Sequence, residues 1–446
     1  MVPTRTAARS ARGRARLVTA AAAALLAGAI LLAMLRVTSL GSIGGIRLGT
    51  GAAAMSDFKS TVYYPAKAFA DGVNPYDTQE YLDRYPAPEP LRLYPPATLL
   101  VFQPFAWLPL EAAMGVQAIL TVLLSGVLAY VSLRLARVRV TATAVLAIWG
   151  LMLLSRPGQW NLIQGQMTLL MVLGVYAALA AGPASPVIGG LGLALSLLKP
   201  NFGIPAAALM VARGHSAGAA IGVGLAGVLN LVALGALIDH PGAIYEFGQR
   251  FLGTGDQLRF SARLGTELSV FRIDGGGLVT RWLGVHLGAA GSLILCAVIV
   301  GLVMALLARR RPSHPVEGPP AAPVAGLLCC TVLISMYHIG YDLLLLTWPF
   351  VALVKGLRAS PRLVPFGRWV QAGLYALLAM NYVTTFSVLS ALHAHGALFM
   401  VVASLNGAAL AALFVLYFRD VVELRRAAVR SSMPLVTSTP SSVGSS

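Results

Sequence analysis

Long apolar segments separated by short polar connections dominate the pattern of this chain. Most of these segments approach the roughly 20 residues that a helix needs to cross a bilayer core. We predict ten full transmembrane helices, at residues 17–35, 110–133, 140–155, 167–182, 216–238, 287–308, 321–337, 343–354, 369–390 and 397–418. The fold class predicted by this pattern is an all-α polytopic membrane protein.

Two further apolar regions are too short for full spans. Residues 97–107 follow Tyr94-Pro95-Pro96, and we expect an interfacial or re-entrant segment there. Residues 186–198 and 203–212 are each about half a span long and meet at Lys199. Because half a span cannot cross a core of roughly 30 Å at about 1.5 Å per residue, we predict a broken or re-entrant helix pair with Lys199 at its tip.

Composition narrows the class of protein further. Hydrophobic residues make up 57% of the 446 residues and charged residues 11%, against roughly 45–50% and 25% in ordinary soluble domains. These proportions exclude a soluble enzyme, a disulfide-rich secreted domain and a disordered protein. The three cysteines lie within apolar segments and two of them are adjacent, so they do not indicate a disulfide framework.

The formal charge of +17 predicts the topology. With ten spans, both termini lie on one side of the membrane, and the segments on that side carry the whole excess of basic residues. The positive-inside bias identifies that side as the cytoplasm. Topology and contact with anionic lipid account for the charge, so we expect a multi-pass plasma-membrane protein with no nucleic-acid partner.

We expect one membrane domain between two cytoplasmic tails. Residues 1–16 form a basic tail, residues 17–418 the membrane domain, and residues 419–446 a tail whose Ser-, Thr- and Pro-rich end is typical of disorder. The membrane domain has two long outer loops, at residues 36–96 and 239–286.

The first outer loop carries the strongest candidate for catalysis, Asp57. This residue begins a segment that contains Tyr63 and Tyr64 and runs to Gly72. One interpretation is structural, with Asp57 as the N-cap of a helix over residues 59–70, Gly72 as its end and the tyrosines at the membrane interface. The other is catalytic, with Asp57 as a general base. The residue types alone favour neither interpretation.

The same loop resembles the first outer loop of glycosyltransferase family 87. The likeness rests on Ser56-Asp57-Phe58, Tyr63-Tyr64, Asp71-Gly72-Val73-Asn74-Pro75-Tyr76 and Tyr94-Pro95-Pro96, and continues at Gly158-Gln159-Trp160-Asn161, Leu198-Lys199-Pro200 and Tyr337-His338. The resemblance implies the GT-C membrane fold and a polyprenyl-phosphate-sugar donor; mycobacterial members transfer mannosyl or arabinofuranosyl residues. It also implies that Asp57 is the catalytic base. Many relatives carry a second acid beside this position, where the present chain has Ser56.

A lipid-phosphate donor has a phosphate leaving group, which needs positive charge. The candidate donor-phosphate ligands are Lys199, His338 and Arg263. For Lys199 the alternative is a snorkelling lysine that closes a helix end. Arg263 lies in the second outer loop, where Gly275-Gly276-Gly277 predicts a mobile lid. The alternative for that loop is a solvated, charge-balanced surface.

Amides suit sugar hydroxyls, and an aromatic face suits a sugar ring. The candidate sugar- and acceptor-binding residues are Tyr63, Tyr64, Gln159, Trp160, Asn161, Gln164 and Asp342, with Gln166 in the same polar cluster as Gln164. Helix capping and an interfacial aromatic belt are the structural alternatives for the cluster. His338 and Asp342 are spaced i,i+4, so we expect them either to pair or to contact a substrate together.

The combined prediction is a membrane glycosyltransferase. It would transfer a mannosyl or arabinofuranosyl residue, with inversion, to a cell-envelope glycolipid or polysaccharide on the extracytoplasmic face. The partners are then the lipid-linked donor, the acceptor and membrane lipids, and we expect no cofactor and no metal. The rival hypothesis is a transporter or lipid flippase that uses Lys199 and the broken helices as a substrate pathway. Inverted repeats would favour the rival, and we detect none.

Overall fold

The computed structural model describes residues 5–37, 42–43, 46–47, 55–91, 94–237, 271–285, 287–308, 321–359, 366–393 and 395–431. Within these ranges the regular structure is helical, apart from a short antiparallel hairpin of β1 (Ser42–Ile43) and β2 (Ile46–Arg47). The predicted all-α class is confirmed.

The described residues form twenty α-helices. In chain order they are α1 (Arg5–Val37), α2 (Ser56–Phe58), α3 (Tyr64–Ala70), α4 (Thr78–Arg84), α5 (Ala97–Val101), α6 (Gln103–Ala106), α7 (Leu110–Leu135), α8 (Ala142–Leu154), α9 (Arg156–Gln164), α10 (Thr168–Ala180), α11 (Pro186–Leu197), α12 (Pro200–Ala212), α13 (Ser216–Leu237), α14 (Gly275–Leu283), α15 (Gly288–Ala308), α16 (Ala322–Ser335), α17 (Thr347–Ala359), α18 (Phe366–Met380), α19 (Phe386–Leu392) and α20 (Gly396–Ser431). A π-helical segment, Lys59–Tyr63, joins α2 to α3, and a 3-10 segment, Gly340–Leu346, leads into α17.

Six described helical segments are long and apolar enough to cross a membrane. They are Ala15–Arg36, Leu110–Leu135, Ser216–Leu237, Ala290–Ala308, Gly340–Leu357 and Gly396–Ala427. Five shorter apolar helices, α8, α10, α11, α12 and α16, accompany them. These helices are those of a multi-pass membrane protein, although they do not confirm the predicted count of ten full spans. The predicted span at residues 369–390 is interrupted between α18 and α19.

Two helices extend past the predicted boundaries of the membrane domain. α1 begins at Arg5 rather than at residue 17, and α20 continues to Ser431 rather than ending at residue 418. A helix continues beyond its apolar segment because its backbone hydrogen bonds are made within the helix itself. The rest of the predicted C-terminal tail, residues 432–446, lies outside the described residues.

The predicted break at Lys199 is confirmed. α11 ends at Leu197, Lys199 has an extended backbone (φ −131°, ψ 94°), and α12 begins at Pro200. Proline suits the first helical position because its ring fixes φ, and it pushes the preceding residue out of the helical region. The predicted interfacial or re-entrant segment at residues 97–107 forms the two short helices α5 and α6.

A large apolar core fixes the 3-10 segment Gly340–Leu346, all of which is buried. The hydroxyl group of Tyr176 in α10 donates to the carbonyl of Leu345 at 2.9 Å and accepts from the backbone N–H of Trp348 at 2.8 Å. Trp348 is itself buried in the core. These contacts fix the 3-10 segment and the start of α17 against α10.

The first outer loop follows the prediction only in part. Its helical segment ends at Ala70, two residues before Gly72, whose φ is 74°. The side chain of Asn74 accepts a hydrogen bond from the backbone N–H of Tyr76 at 3.0 Å. The structural interpretation of Asp57 as the N-cap of this helix is wrong. Met55 is the N-cap, with a left-handed backbone (φ 55°), and Asp57 lies within the first helical turn.

Candidate active site

Asp57 lies half-buried in α2, and its carboxylate accepts a hydrogen bond from the side-chain amide of Gln166. Burial raises the pKa of Asp57 to about 6. The Gln166 hydrogen bond and the Lys199 ammonium oppose this rise, whereas the carboxylates of Glu89 and Asp342 add to it. A carboxyl group with such a pKa is mostly ionised at neutral pH and accepts a proton more readily than an ordinary aspartate.

The end of α9 positions the start of α2. The backbone N–H of Met55 donates to the carbonyl of Ile163 at 2.7 Å, and the hydroxyl of Ser56 donates to the side-chain oxygen of Gln164 at 2.9 Å. Because these bonds are made by the two residues directly before Asp57, a contact distant in sequence fixes the backbone at the start of α2.

Gly165 permits this close approach. Its φ is 66°, and a Cβ atom there would lie 2.6 Å from the Cβ of Phe58 in α2. Only glycine satisfies both conditions without strain. Gln117, buried within α7, donates to the carbonyls of Gly165 and Gln166 at 3.1 and 3.3 Å. The turn that directs Gln166 toward Asp57 is therefore held from two sides.

A second polar group surrounds Asp342 in the 3-10 segment. One oxygen, Oδ1, accepts hydrogen bonds from Lys199 Nζ at 2.8 Å and from Thr168 Oγ1 at 3.2 Å. The other oxygen, Oδ2, lies 2.8 Å from Nδ1 of His338. Asp342 and His338 are 0% exposed and Lys199 9%. The expected pairing of His338 with Asp342 is confirmed, and the ion pair with Lys199 is a contact that the sequence did not predict.

Both ring nitrogens of His338 face oxygen acceptors of the protein. Nδ1 faces Asp342, and Nε2 lies 3.3 Å from the carbonyl oxygen of Asn201. The backbone N–H of His338 donates to Asp274 at 3.3 Å. Fixed in this way, His338 orients the Asp342 carboxylate, and Asp342 in turn holds the Lys199 ammonium.

The turn between α9 and α10 connects the two polar groups. Gln166 contacts Asp57, and Thr168, two residues later, contacts Asp342. The arrangement thus combines a carboxylate suited to accept a proton with an ammonium group suited to bind an anionic leaving group.

Aromatic rings border Lys199 and extend to Trp160. Nζ of Lys199 lies 4.9 Å from the ring centroid of Tyr341 and 5.2 Å from that of Phe202. The ring of Trp160 meets Tyr341 edge to face, with centroids 5.5 Å apart. Trp160 is partly exposed, so the predicted sugar-binding indole lies beside the polar cluster.

The other predicted sugar- and acceptor-binding residues have different surroundings. Gln159 and Asn161 are buried within α9, and within the described part of the chain both polar atoms of Asn161 have no hydrogen-bond partner. The hydroxyl of Tyr63 donates to the carbonyl of Leu108 at 2.9 Å, and its ring packs against Tyr64 at 5.2 Å. The two tyrosines therefore contribute to packing of the first loop and are not brought to the polar cluster.

Of the second outer loop, the structure describes residues 271–285. Arg263 lies outside the described residues. The glycines at 275–277 form the first turn of α14, where Asp274 accepts a hydrogen bond from the backbone N–H of Gly277 at 3.0 Å. A Cβ at Gly277 would lie 2.8 Å from the Cβ of Arg272. These glycines therefore pack closely in a capped helix, and the mobile lid stays a prediction.

Gln117 and Thr168 support this site, and neither was predicted from the sequence. The available signal was a polar side chain in or next to an apolar helix, where polar residues are costly unless paired. Among the described residues no three His, Cys, Asp or Glu side chains are grouped as in a metal site.

Comparison with known proteins identifies the family. A family model described as glycosyltransferase family 87 matches residues 93–336. No curated protein and no solved structure shows a significant match. The matched segment includes Lys199 and the turn after α9, whereas Asp57, His338 and Asp342 lie outside it. Because the match covers more than half of the 446 residues, the chain belongs to glycosyltransferase family 87 and is a membrane glycosyltransferase.

Proposed function

We propose that this glycosyltransferase moves a mannosyl or arabinofuranosyl residue from a polyprenyl-phosphate-sugar donor to a cell-envelope glycolipid or polysaccharide. The observation that carries the proposal is the half-buried Asp57, which is held by Gln166 and has a pKa raised to about 6. Direct transfer to a hydroxyl group requires a base within hydrogen-bond reach of that hydroxyl, with a pKa close to the working pH.

In the proposed reaction the acceptor hydroxyl attacks the anomeric carbon of the donor sugar. Asp57 takes the proton of the hydroxyl as the new carbon–oxygen bond forms. The bond between the anomeric carbon and the phosphate oxygen breaks, and polyprenyl phosphate leaves with the electron pair. A single displacement of this kind inverts the anomeric configuration.

Lys199 is the proposed ligand of the donor phosphate. Its ammonium carries three N–H groups, and within the described residues Asp342 is its one hydrogen-bond acceptor. Because the ion pair with Asp342 offsets much of the charge, the proposed recognition depends on directed N–H groups. His338 would have to give up an existing contact to bind phosphate directly, so we assign it the positioning of Asp342 and Lys199.

We further propose that transfer takes place on the extracytoplasmic face of the plasma membrane, with both termini in the cytoplasm. The asymmetric distribution of basic residues supports this orientation. Two exposed positions, Asp83 and Arg134, lie on opposite sides in this topology. Single cysteines placed there in a cysteine-free background should react with an impermeant reagent from outside at position 83 only. Labelling of position 83 from the cytoplasmic side would show that the protein has the opposite orientation.

The alternative of a transporter or flippase is not favoured by membership of a glycosyltransferase family.

The donor is tested with purified protein. Labelled polyprenyl-phosphate mannose and polyprenyl-phosphate arabinose are each incubated with envelope lipids, and the glycosylated products are separated. Product from one donor and not from the other identifies the sugar. Asp83→Asn, which alters an exposed carboxylate of the same loop, is the matched control for variants of Asp57. Absence of transfer from both donors by well-folded protein would contradict the proposed donor class.

A further inference from the structure

Two arginines lie where apolar helices end, outside the polar cluster of the proposed active site. Arg36 ends the apolar segment Ala15–Arg36 of α1, and Arg156 begins α9 immediately after the apolar helix α8. α1 and α8 pack together through a shared apolar cluster that includes Ala29 and Leu153. The two arginines are therefore brought to the same boundary of the membrane.

Two aromatic side chains accompany them. Cζ of Arg36 lies 5.9 Å from the ring centroid of Tyr382, and Cζ of Arg156 lies 4.5 Å from that of Trp160. Both guanidinium groups act electrostatically on the Tyr382 hydroxyl. The four side chains are partly exposed, so a ligand at the membrane boundary has access to them.

The positive charge of this cluster has no carboxylate partner within the described residues. Neither Arg36 nor Arg156 takes part in any ion pair found there, and the buried Nε of Arg156 has no hydrogen-bond partner among them. Burial, with a smaller contribution from Arg36, lowers the pKa of Arg156 to about 10, which leaves it protonated at neutral pH. Neighbouring like charges and an unpaired buried donor are unfavourable, and a bound anion relieves both.

We propose that Arg36, Arg156, Trp160 and Tyr382 form a binding site for the phosphate of a membrane phospholipid. Guanidinium groups bind phosphate oxygens through paired N–H donors. Lipid phosphates lie at the depth where membrane-spanning helices end, and basic pockets between such helices bind anionic headgroups. The aromatic rings supply an apolar surface for the glycerol and the first acyl carbons.

This site is distinct from Lys199. The contacts run from Arg156 to the Trp160 ring, from Trp160 to Tyr341, and from Tyr341 to Lys199. Two rings thus separate the cations, and Lys199 already has Asp342 as its partner. The inference concerns lipid binding alone, so it does not depend on the proposed sugar transfer.

The test is titration of the purified full chain in detergent with phosphatidylglycerol, with bound lipid counted by native mass spectrometry. Arg156→Gln and Arg36→Gln should each weaken binding roughly 10-fold or more, as expected for loss of a hydrogen bond to a charged group. Arg156→Lys keeps the charge and should lie between Arg156→Gln and wild type. Arg134→Gln, an exposed arginine at the end of α7, should bind as wild type does.

Three results would overturn the proposal. Equal affinity in wild type and both glutamine variants would remove the site. Displacement of the lipid by equimolar inorganic phosphate would assign it to a free anion. Loss of polyprenyl-phosphate binding alone, with phosphatidylglycerol retained, would assign the arginines to the sugar donor. Thermal unfolding of each variant separates lost binding from lost folding, and if Arg156→Gln does not fold, Arg36→Gln decides the result.

Discussion

The side-chain amide of Gln166 donates a hydrogen bond to the carboxylate of Asp57, although 109 residues of sequence separate them. The turn that carries Gln166 is anchored to the buried Gln117 and presents Thr168 to Asp342. The proposed base and the buried ion pair therefore depend on one short segment. Variants of this segment should alter chemistry without removing either charged group.

Replacing Gln166 by leucine should move the acid side of the pH profile of transfer to higher pH. The hydrogen bond stabilises the ionised carboxylate, so its loss raises the pKa of Asp57 above about 6. Because a hydrogen bond to a charged group contributes about 1.5–3 kcal/mol, the profile should shift by about one to two pH units. The measurement is kcat/KM against pH.

Gln371 provides a matched control, since its amide donates to the carboxylate of Asp420 at 3.0 Å, away from the proposed site. Gln371→Leu should leave the acid limb where it is in wild type. An unshifted acid limb in Gln166→Leu would mean that the hydrogen bond does not tune the catalytic base.

Gly165→Ala should reduce both stability and transfer. A left-handed alanine costs about 1–2 kcal/mol, and the contact with Phe58 adds an overpacking cost of about 1–3 kcal/mol. Because the strain displaces α2, Asp57 should be misplaced. Gly284→Ala is the control, since Gly284 has φ 64° and no neighbour within 4 Å. Equal losses of stability in the two variants, with normal transfer in Gly165→Ala, would contradict the positioning role.

Because Lys199 and Asp342 form an ion pair, we predict that substitutions of these two residues have strongly coupled effects on the free energy of unfolding. Lys199→Met leaves the buried carboxylate with fewer partners, and removing one member of a buried pair costs about 3–5 kcal/mol. In a double-mutant cycle, Lys199→Met with Asp342→Asn should cost clearly less than the sum of the single variants. Thermal and denaturant unfolding in detergent provide the four free energies of unfolding.

Use of the polyprenyl-phosphate-sugar donor, measured by donor titration, should respond differently from stability in the same variants. The double variant should regain stability and remain poor in donor use, whereas Lys199→Arg should recover part of the donor use. Donor titrations that match wild type in the stable double variant would reduce Lys199 to a structural residue.

Local sequence patterns were sufficient to predict several features of this site. The break at Lys199 follows from Pro200. The pairing of His338 with Asp342 joins residues four apart, although it forms across the start of the 3-10 segment and not within a helix. Asp57 was singled out by its place in a polar segment that resembles a known family. These features depend on residues that are close in sequence, so pattern alone reveals them.

Other features depend on packing between distant elements. Lys199 and Asp342 are 143 residues apart, and their pairing requires the break between α11 and α12 to lie next to the 3-10 segment. The interpretation of Asp57 as an N-cap failed because the backbone N–H of Met55 donates to the carbonyl of Ile163, and the helix starts before Asp57. Local propensity does not include such a contact, and tertiary structure overrides it.

The most direct test of Asp57 as the catalytic base is sugar transfer by Asp57→Asn, measured beside its thermal stability at neutral pH. Burial raises the pKa of Asp57 from 3.8 to about 6, so the folded state holds the proton more tightly than the unfolded state. Ionisation of Asp57 therefore lowers stability as pH rises through this window, and the neutral asparagine removes that cost.

Asp57→Asn should thus be at least as stable as wild type at neutral pH and should still bind the polyprenyl-phosphate donor. Its turnover should fall by roughly 10²–10⁴-fold, because no group remains to accept the proton. Asp83→Asn should transfer sugar as wild type does. Full transfer by a well-folded Asp57→Asn protein would contradict the assignment of Asp57 as the base.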